Sequence, residues 1–330
     1  MAETDLRSSR FRDEREADWR RLETLVDMAE ARGARSLSFE ESRDLAALYR
    51  NVASSLSVAR EITLDKSLLA YLEALAARAY LAVYAQQDSL GGVLSRFFAS
   101  GAPQAMRRSA IYILAGFAAM GLGATVGWLL FLEDPDWYDV FVPGGGGDTR
   151  GPAASTEELL SYIYDEDASL IGALTAFSAF LFSHNTRIAI FAFSLGVFAA
   201  FPTLLLLIYN GLLLGAFVAL HVERGIGWDI FGWLSVHGVT ELSAICIAGA
   251  GGLQLGAAVL FPGRRTRRDA LRHEGRDAAK LAIVAALMLF VAALLEGFAR
   301  QLIQTTEVRL AVGWGIGALW LVWFALAGRR

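Results

Sequence analysis

The sequence contains one cysteine, Cys246, which lies inside an apolar run, so no intrachain disulfide can form. It also lacks the H-E-x-x-H string of zinc proteases and the G-x-S-x-G string of serine hydrolases. The glycine run "GGGGD" at 144–148 has neither the lysine nor the flanking strand–helix pattern of a phosphate-binding loop, and we interpret it as a flexible tether. These absences lead us to expect no enzymatic activity, no cofactor and no bound metal.

Charged residues are almost absent from five long segments, whereas residues 1–108 are rich in Arg, Glu and Asp. The five segments are 109–132, 188–221, 238–261, 281–296 and 310–327. Hydrophobic residues make up 55% of the chain and its mean hydropathy is +0.42, more than a water-soluble surface tolerates. Because a bilayer core of about 30 Å requires roughly 20 apolar residues per helix, the sequence predicts an all-α, polytopic membrane protein.

Residues 1–105 are predicted to form a cytoplasmic helical bundle that ends in an interfacial linker. A first helix should stop at Gly33, and a second should open at Ser38, which has capping-box spacing to Glu41. A third, "KSLLAYLEALAARAYLAVYA", repeats leucine and alanine at helical spacing. The following "GGVLSRFFASGAPQAMRRS" is either an amphipathic interfacial segment or a plain linker into the first span.

Residues 106–330 are predicted to form a membrane domain of about six crossings. Lys and Arg near span ends concentrate on the cytoplasmic side. The arginines at 107–108 precede the first span and a basic loop occupies 262–280, whereas the loop at 133–187 is largely acidic and suits the outer side. We therefore predict a multi-pass membrane protein with both termini in the cytoplasm.

The uncharged segment 188–222 is short for the two crossings that this orientation requires. The chain could reverse at Pro202 or at the turn-prone "YNG" of 209–211. Two full spans, or one span plus a re-entrant helix, both remain open. The segment 169–182 is also too short to span and is predicted to be interfacial or re-entrant on the outer side.

Glycine recurs at four-residue spacing in several apolar runs, which favours close approach of helix backbones. The pairs are Gly123/Gly127, Gly211/Gly215, Gly252/Gly256 and Gly313/Gly317, and Gly238 is a further packing candidate. The spacing does not decide whether this packing lies within one chain or between two copies in a homodimer.

Polar residues within the apolar runs are the candidate functional residues. His237 and Glu241 are separated by four residues, and Glu296 and Arg300 have the same spacing, so each pair shares a helix face. The predicted topology brings both pairs toward the outer side, and Asn210 is a further polar group. The alternatives are a polar network that clamps the helices, a solute or proton path, and a metal or hydrolytic site.

The string "HGVTELSAICIAGAGGLQLG" at 237–256 resembles the stage II sporulation protein M family, with H-G-x-x-E-L as its most specific part. The preceding "NTRIAIFAFSLGVFAAFPTLLLLIYNGLLLGAF" and the later "EGFAR" are similar to the same family, and the resemblance begins near Phe11. It implies family positions at His237, Gly238, Glu241, Asn210, Gly211, Pro202, Glu296 and Gly297.

The resemblance implies an integral protein of the bacterial cytoplasmic (inner) membrane without established catalytic activity. The founding member is a scaffold that holds peptidoglycan-degrading enzymes at a septum, and longer members occur beside MoxR-type AAA+ ATPases. We therefore expect a scaffold that assembles cell-envelope or AAA+ ATPase partners, contacts membrane lipids, forms a homo-oligomer and binds no nucleic acid. The alternative is a transporter, channel or lipid-handling protein with a cavity lined by His237, Glu241 and Glu296.

Overall fold

The computed structural model of the chain describes residues 2–33, 36–62, 66–84, 90–142, 151–164, 184–299 and 302–329. These residues form helices joined by turns and contain no β-strand, which confirms the predicted all-α class. The chain divides into two compact units, Met1–Ser95 and Arg96–Arg330. The division precedes the predicted boundary at 105, because Ala102 and Ala105 are buried in a core of the second unit.

Three helices form the first unit: α1 (Ala2–Arg32), α2 (Phe39–Ile62) and α3 (Lys66–Tyr84). Gly33 ends α1 with a φ of +83°, a left-handed conformation that glycine adopts without a steric penalty. The predicted capping box opens α2: the Ser38 N–H donates to Glu41 Oε2 at 2.8 Å and the Glu41 N–H donates to Ser38 Oγ at 3.2 Å.

The first unit has a hydrophobic core of its own. Trp19 and Leu22 of α1 pack with Leu72 of α3, and all three are almost completely buried. At the rim, Arg78 of α3 donates hydrogen bonds of 2.6 Å to Asp27 and to Glu30 of α1, and this guanidinium lowers the pKa of the Glu30 carboxyl. The core and the rim therefore both tie α1 to α3.

Nine helices follow the short α4 (Leu90–Arg96) in the described part of the chain. They are α5 (Ala102–Arg108), α6 (Ala110–Glu133), α7 (Trp137–Phe141), α8 (Thr156–Ile163), α9 (residues 184–194), α10 (Phe201–Glu223), α11 (Gly227–Leu260), α12 (Arg267–Leu294) and α13 (Thr306–Leu326). Single π-helical turns occur at Phe97–Gly101 and Leu295–Ala299.

Five of the described helices, α6, α10, α11, α12 and α13, are long and apolar enough to cross a membrane. The central one is α11, which contacts the other four. In its apolar stretch 72% of the residues are buried, against 11% for α13. Its 34 residues give a length of about 51 Å, so it extends beyond a hydrocarbon core of about 30 Å.

The chain reverses at residues 198–200, between α9 with its following 3₁₀ turn (Leu195–Val197) and α10. Ala199 and Ala200 both have positive φ, 61° and 64°, and Pro202 lies in the first turn of α10. The reversal thus occurs just before Pro202, as one of the two alternatives predicted. The other alternative, 209–211, is wrong, because these residues lie inside α10.

The predicted sixth crossing lies in 188–222, where α10 supplies one of the two crossings and α9, whose described part ends at residue 194, would belong to the other. The segment 169–182, predicted to be interfacial or re-entrant, and the glycine run at 144–148 lie outside the described residues. The count of six crossings therefore stays a prediction beside the five candidate spans of the described residues.

The basic segment at 262–280 is not a loop over its whole length, because α12 begins at Arg267. Thr266 caps the helix: its Oγ1 accepts a hydrogen bond from the Asp269 N–H at 3.2 Å. Further along, Asp277 accepts two hydrogen bonds from Arg108, at 2.6 and 2.8 Å. Capping and this ion pair explain why a highly charged segment is helical.

Glycines line the crossing of α6 and α10. A Cβ atom at Gly123 would overlap the Ile208 carbonyl oxygen, and one at Gly211 would overlap the Met120 carbonyl oxygen. Gly127 and Gly215 meet the facing backbone in the same way. The two helix backbones are therefore in direct contact, as expected where lipid supplies no hydrophobic drive for association.

The other two glycine pairs also face helices of the same chain. The segment from α9 to the reversal packs against Gly252 and Gly256 of α11. Gly313 of α13 packs against the Ser235 carbonyl group of α11. Gly238 is different, because the nearest atom to a Cβ there would be Leu234 Cβ at 3.9 Å. It is not a position of close helix approach.

We expect residues 1–95, expressed alone, to unfold cooperatively, and Leu72→Ala to lower their free energy of unfolding by about 2–5 kcal/mol because it leaves a cavity in the core. The measurement is urea unfolding followed by circular dichroism. Leu81→Ala on the same helix is the matched control, since Leu81 is 58% exposed and Leu72 0% exposed. Equal effects of the two substitutions would contradict this core.

In the membrane unit, Gly123→Ala should lower the melting temperature of the detergent-solubilised chain, because the new methyl group forces α6 and α10 apart at a cost of about 1–3 kcal/mol. Gly121→Ala is the control on the same helix, since nothing lies within 4 Å of a Cβ at Gly121. A Gly123→Ala variant as stable as the control would show that α6 and α10 do not pack through this face.

Candidate polar and metal-binding cluster

Three titratable side chains from two helices meet inside the second unit. His237 and Glu241 lie one turn apart on α11, and Glu296 lies in the π-helical turn that follows α12. A π-helical turn inserts an extra residue, which redirects the side chains it carries, and such turns are frequent at functional sites. The pairing within α11 follows from the four-residue spacing, whereas Glu296 joins it through tertiary packing.

The cluster is compact and almost completely buried. His237 Nε2 lies 4.0 Å from Glu241 Oε2 and 3.8 Å from Glu296 Oε1, and one ligand atom from each residue lies within 4.8 Å of the other two. The side chains of His237, Glu241 and Glu296 are 6%, 12% and 5% exposed. Carboxylates at this depth require neutralisation by a proton, a cation or a positively charged side chain.

Aromatic rings position the imidazole. The Trp233 ring stands edge-on to His237, with 5.3 Å between centroids and 87° between planes. Trp233 also contacts Phe217, whose ring packs on His221 at 4.4 Å. These rings form an apolar wall on one side of the cluster.

The remaining predicted members of the cluster are placed differently. Arg300 lies outside the described residues. Asn210 donates through Nδ2 to the Leu206 carbonyl of its own helix at 2.8 Å.

A second polar network, which sequence reasoning missed, joins α8, α11 and α13. The Tyr164 hydroxyl group donates to Asp229 Oδ1 at 2.5 Å and lies 3.1 Å from Thr306 Oγ1. Arg309 is fully buried, with its guanidinium 5.1 Å from the Tyr164 ring centroid. It donates to the Ile303 carbonyl at 2.7 Å. The signal in the sequence is Arg309 itself, a cation at the start of an apolar run, because such a charge is usually paired.

A third group of polar contacts lies where α6 begins. Arg107 donates to the carbonyl groups of Phe324 and Ala327 at 2.6 and 2.9 Å, which satisfies the C-terminal end of α13. Ser109 donates to Gln254 Oε1 at 2.8 Å, and Gln254 donates to Glu274 at 2.8 Å. These contacts link α6, α11, α12 and α13 at one end of the unit.

An apolar cavity of about 580 Å³ opens between α6, α11 and α13. Phe117, Val239, Trp314 and Leu321 are among the residues that line it. The described lining does not include His237, Glu241 or Glu296. This cavity is therefore distinct from the predicted cavity lined by these three residues, which stays a prediction.

Comparison with known protein families agrees with this architecture. A family model described as stage II sporulation protein M matches residues 117–299, which is more than half of the chain and includes the whole cluster. The chain belongs to the stage II sporulation protein M family. This confirms the resemblance found in the H-G-x-x-E-L string. Residues 9–85 match a domain of unknown function, DUF8413, which coincides with the first unit. No curated protein and no solved structure matches this family member.

Replacing Tyr164 by Phe should lower the melting temperature of the solubilised chain at neutral pH, because it removes a hydrogen bond to a charged group worth about 1.5–3 kcal/mol. Burial, and then the hydrogen bond to Asp229, raise the pKa of Tyr164. Folding therefore favours the protonated phenol, and this stability is present below about pH 10 and is lost at higher pH.

The difference between the native chain and Tyr164→Phe should accordingly shrink as the pH rises past 10. Tyr209→Phe is the control, since Tyr209 donates to a neutral acceptor, the Phe141 carbonyl, at 3.1 Å. A Tyr164→Phe difference that stays constant across this pH range would show that the phenol does not carry the contact.

Proposed function

We propose that this member of the stage II sporulation protein M family is a non-enzymatic scaffold of the bacterial inner membrane. Its membrane unit forms a rigid platform, and its first unit receives a soluble partner. The observation that carries the proposal is an exposed aromatic patch on the first unit, defined by Tyr49, Tyr80, Leu81 and Tyr84.

The aromatic patch has the chemistry of a protein-docking surface. Tyr80, Leu81 and Tyr84 of α3 are 52%, 58% and 61% exposed. The Tyr80 and Tyr84 ring centroids are 5.0 Å apart, and each ring also packs against Tyr49 of α2, at 6.3 and 5.8 Å. Contiguous exposed apolar residues mark interaction sites, and tyrosine is enriched among residues that dominate binding energies.

The charge distribution supports a cytoplasmic location of the aromatic patch. The basic residues of 262–280 and the arginines at 107–108 lie at span ends, where positive charge favours the cytoplasmic side. On this orientation the first unit faces the cytoplasm, where an AAA+ ATPase of the type expected for longer family members would be accessible. Envelope components would then bind through the membrane unit.

The proposal includes a homo-oligomer, although its interface would not consist of the glycine pairs. All four pairs contact helices of their own chain. The helix that offers most free surface is α13, where Trp314, Leu319 and Leu321 are exposed. A second copy or lipid would cover this face.

A second candidate function is lipid handling, which the apolar cavity between α6, α11 and α13 favours. Its volume of about 580 Å³ falls in the range of cavities that hold small ligands, and its walls are almost entirely apolar. An acyl chain fits this chemistry better than a hydrophilic solute does. Reconstituted chain that exchanges fluorescent lipids between leaflets would favour this function over the scaffold.

Affinity isolation of the full chain from native membranes in mild detergent, with quantitative mass spectrometry, tests the scaffold. We expect a soluble partner at stoichiometric yield with the native chain, and at least about a tenfold loss with the double variant Tyr80→Ala/Tyr84→Ala, because hot-spot aromatics contribute about 2 kcal/mol or more each. Val58→Ala, at the other end of α2, is the control and should retain the partner. The same proteins in equal amounts with all three chains would contradict docking at the aromatic patch.

A further inference from the structure

We propose that His237, Glu241 and Glu296 bind one divalent transition-metal ion, with Zn²⁺ as the favoured ion. This metal site is independent of the partner proposed for the aromatic patch. A metal site was one of three alternatives that the sequence left open for these residues; two of the three ligands come from α11, and the third lies beyond the end of α12.

The distances within the cluster suit a shared ion better than direct hydrogen bonds. His237 Nε2 lies 4.0 and 3.8 Å from the two carboxylate oxygens, beyond the range of about 2.7–3.2 Å for an N–H···O hydrogen bond. Bonds of about 2.0–2.2 Å to a tetrahedral zinc ion separate its ligand atoms by about 3.3–3.6 Å. Side-chain rotations that bring the three ligand atoms, which lie within 4.8 Å of one another, to this separation would complete the coordination.

The charges of the cluster also fit a divalent cation. Two carboxylates lie within 4.8 Å of one another and of the imidazole in an almost water-free interior. A divalent ion bound there leaves the imidazole neutral, the form that binds metal. The imidazole ligand favours Zn²⁺ over Mg²⁺ and Ca²⁺, which prefer oxygen ligands.

Two polar side chains of α11, those of Glu241 and Thr240, have no hydrogen-bond partner among the described residues. No hydrogen bond from the described part of the chain reaches the Glu241 carboxylate, whose nearest ion partner is His237 at 4.0 Å. Thr240 is 1% exposed, and its Oγ1 has no hydrogen-bond partner among the described residues. Thr240 lies three residues after His237, on the same side of the helix. A metal ion with a bound water supplies both groups with a partner.

The surroundings hold the three ligands in place. The Trp233 ring packs edge-on against the imidazole, and the π-helical turn places Glu296 beside His237 of α11. His237 is ten residues from the first residue of α11, a distance of about 15 Å along the helix. Glu241 has the most exposed side chain of the three, so the ion enters from its side. Three protein ligands leave a fourth position for water.

The first test is metal content. The full chain carries an affinity tag without histidine, is purified in detergent without chelator, and is analysed by elemental mass spectrometry. We expect about one zinc ion per chain, bound through nitrogen and oxygen in X-ray absorption spectra. The double variant His237→Ala/Glu241→Gln should lose at least about nine-tenths of the zinc, because a single remaining ligand binds weakly. The control, His273→Asn, alters an exposed histidine of α12 and should retain all of it.

The second test measures metal-dependent stability of the native chain and does not require the double variant to fold. Native chain stripped with a chelator should melt at a lower temperature, and Zn²⁺ but not Mg²⁺ should restore the original value, since an ion that binds only the folded state stabilises it. Native chain with less than about one-tenth equivalent of zinc and no Zn²⁺-dependent melting shift would overturn the proposal. Full zinc content in a folded double variant would overturn it as well.

Discussion

Direct contact between helix backbones is the constraint on which the membrane unit depends. Lipid tails are as apolar as leucine side chains, so burying leucine against leucine gains little, and spans associate instead by close packing at small residues. Here both α6 and α10 place glycines at their crossing, and α9 and α13 pack against α11 at further glycines. These contacts pack α6 against α10, and α9 and α13 against the central α11.

These contacts place α11 at the centre of the unit. In that position the cluster of His237, Glu241 and Glu296 is shielded from lipid. An isolated helix would place His237 and Glu241 against lipid, at a cost of about 2.5–3.5 kcal/mol for each charge near the bilayer centre. Because α11 is surrounded by α6, α10, α12 and α13, its polar face points into protein. The polar contacts of Arg309 and of Arg107 then tie α13 to the rest of the unit near its two ends. The cluster and the contacts of Arg309 and Arg107 thus stabilise a helix packing that the glycine contacts permit.

The parts of this arrangement that depend on local spacing can be predicted from the sequence. The capping box at Ser38, the four-residue spacing of the glycines and the His237–Glu241 pair are all periodic signals, and each is a local property of one helix. The reversal before Pro202 follows from proline's preference for the first turn of a helix. The family resemblance rests on the same local strings.

The parts that sequence reasoning missed depend on contacts between distant segments. The partners of Arg309 come from α8 and from the turn before α13, and no periodicity links them. The helical course of residues 267–280 was missed because a dense run of charge is usual in loops, whereas here Thr266 and Arg108 stabilise a helix. Gly238 belongs to the family string and is buried, but the nearest described atom to a Cβ there lies on its own helix, so the string did not predict a close helix approach.

The native cysteine offers the most direct measurement of the helix packing. Cys246 Sγ lies 3.7 Å from Met120 Sδ, where α11 meets α6. In native membranes, Met120→Cys should therefore form an intramolecular cross-link to Cys246 with a short bifunctional thiol reagent, detected by mass spectrometry of the digested chain. Leu122→Cys, on the exposed side of α6, should not. Cross-linking from 120 alone would establish that α6 packs on α11 as described. No cross-link from 120, or equal yields from 120 and 122, would contradict this account of the membrane unit.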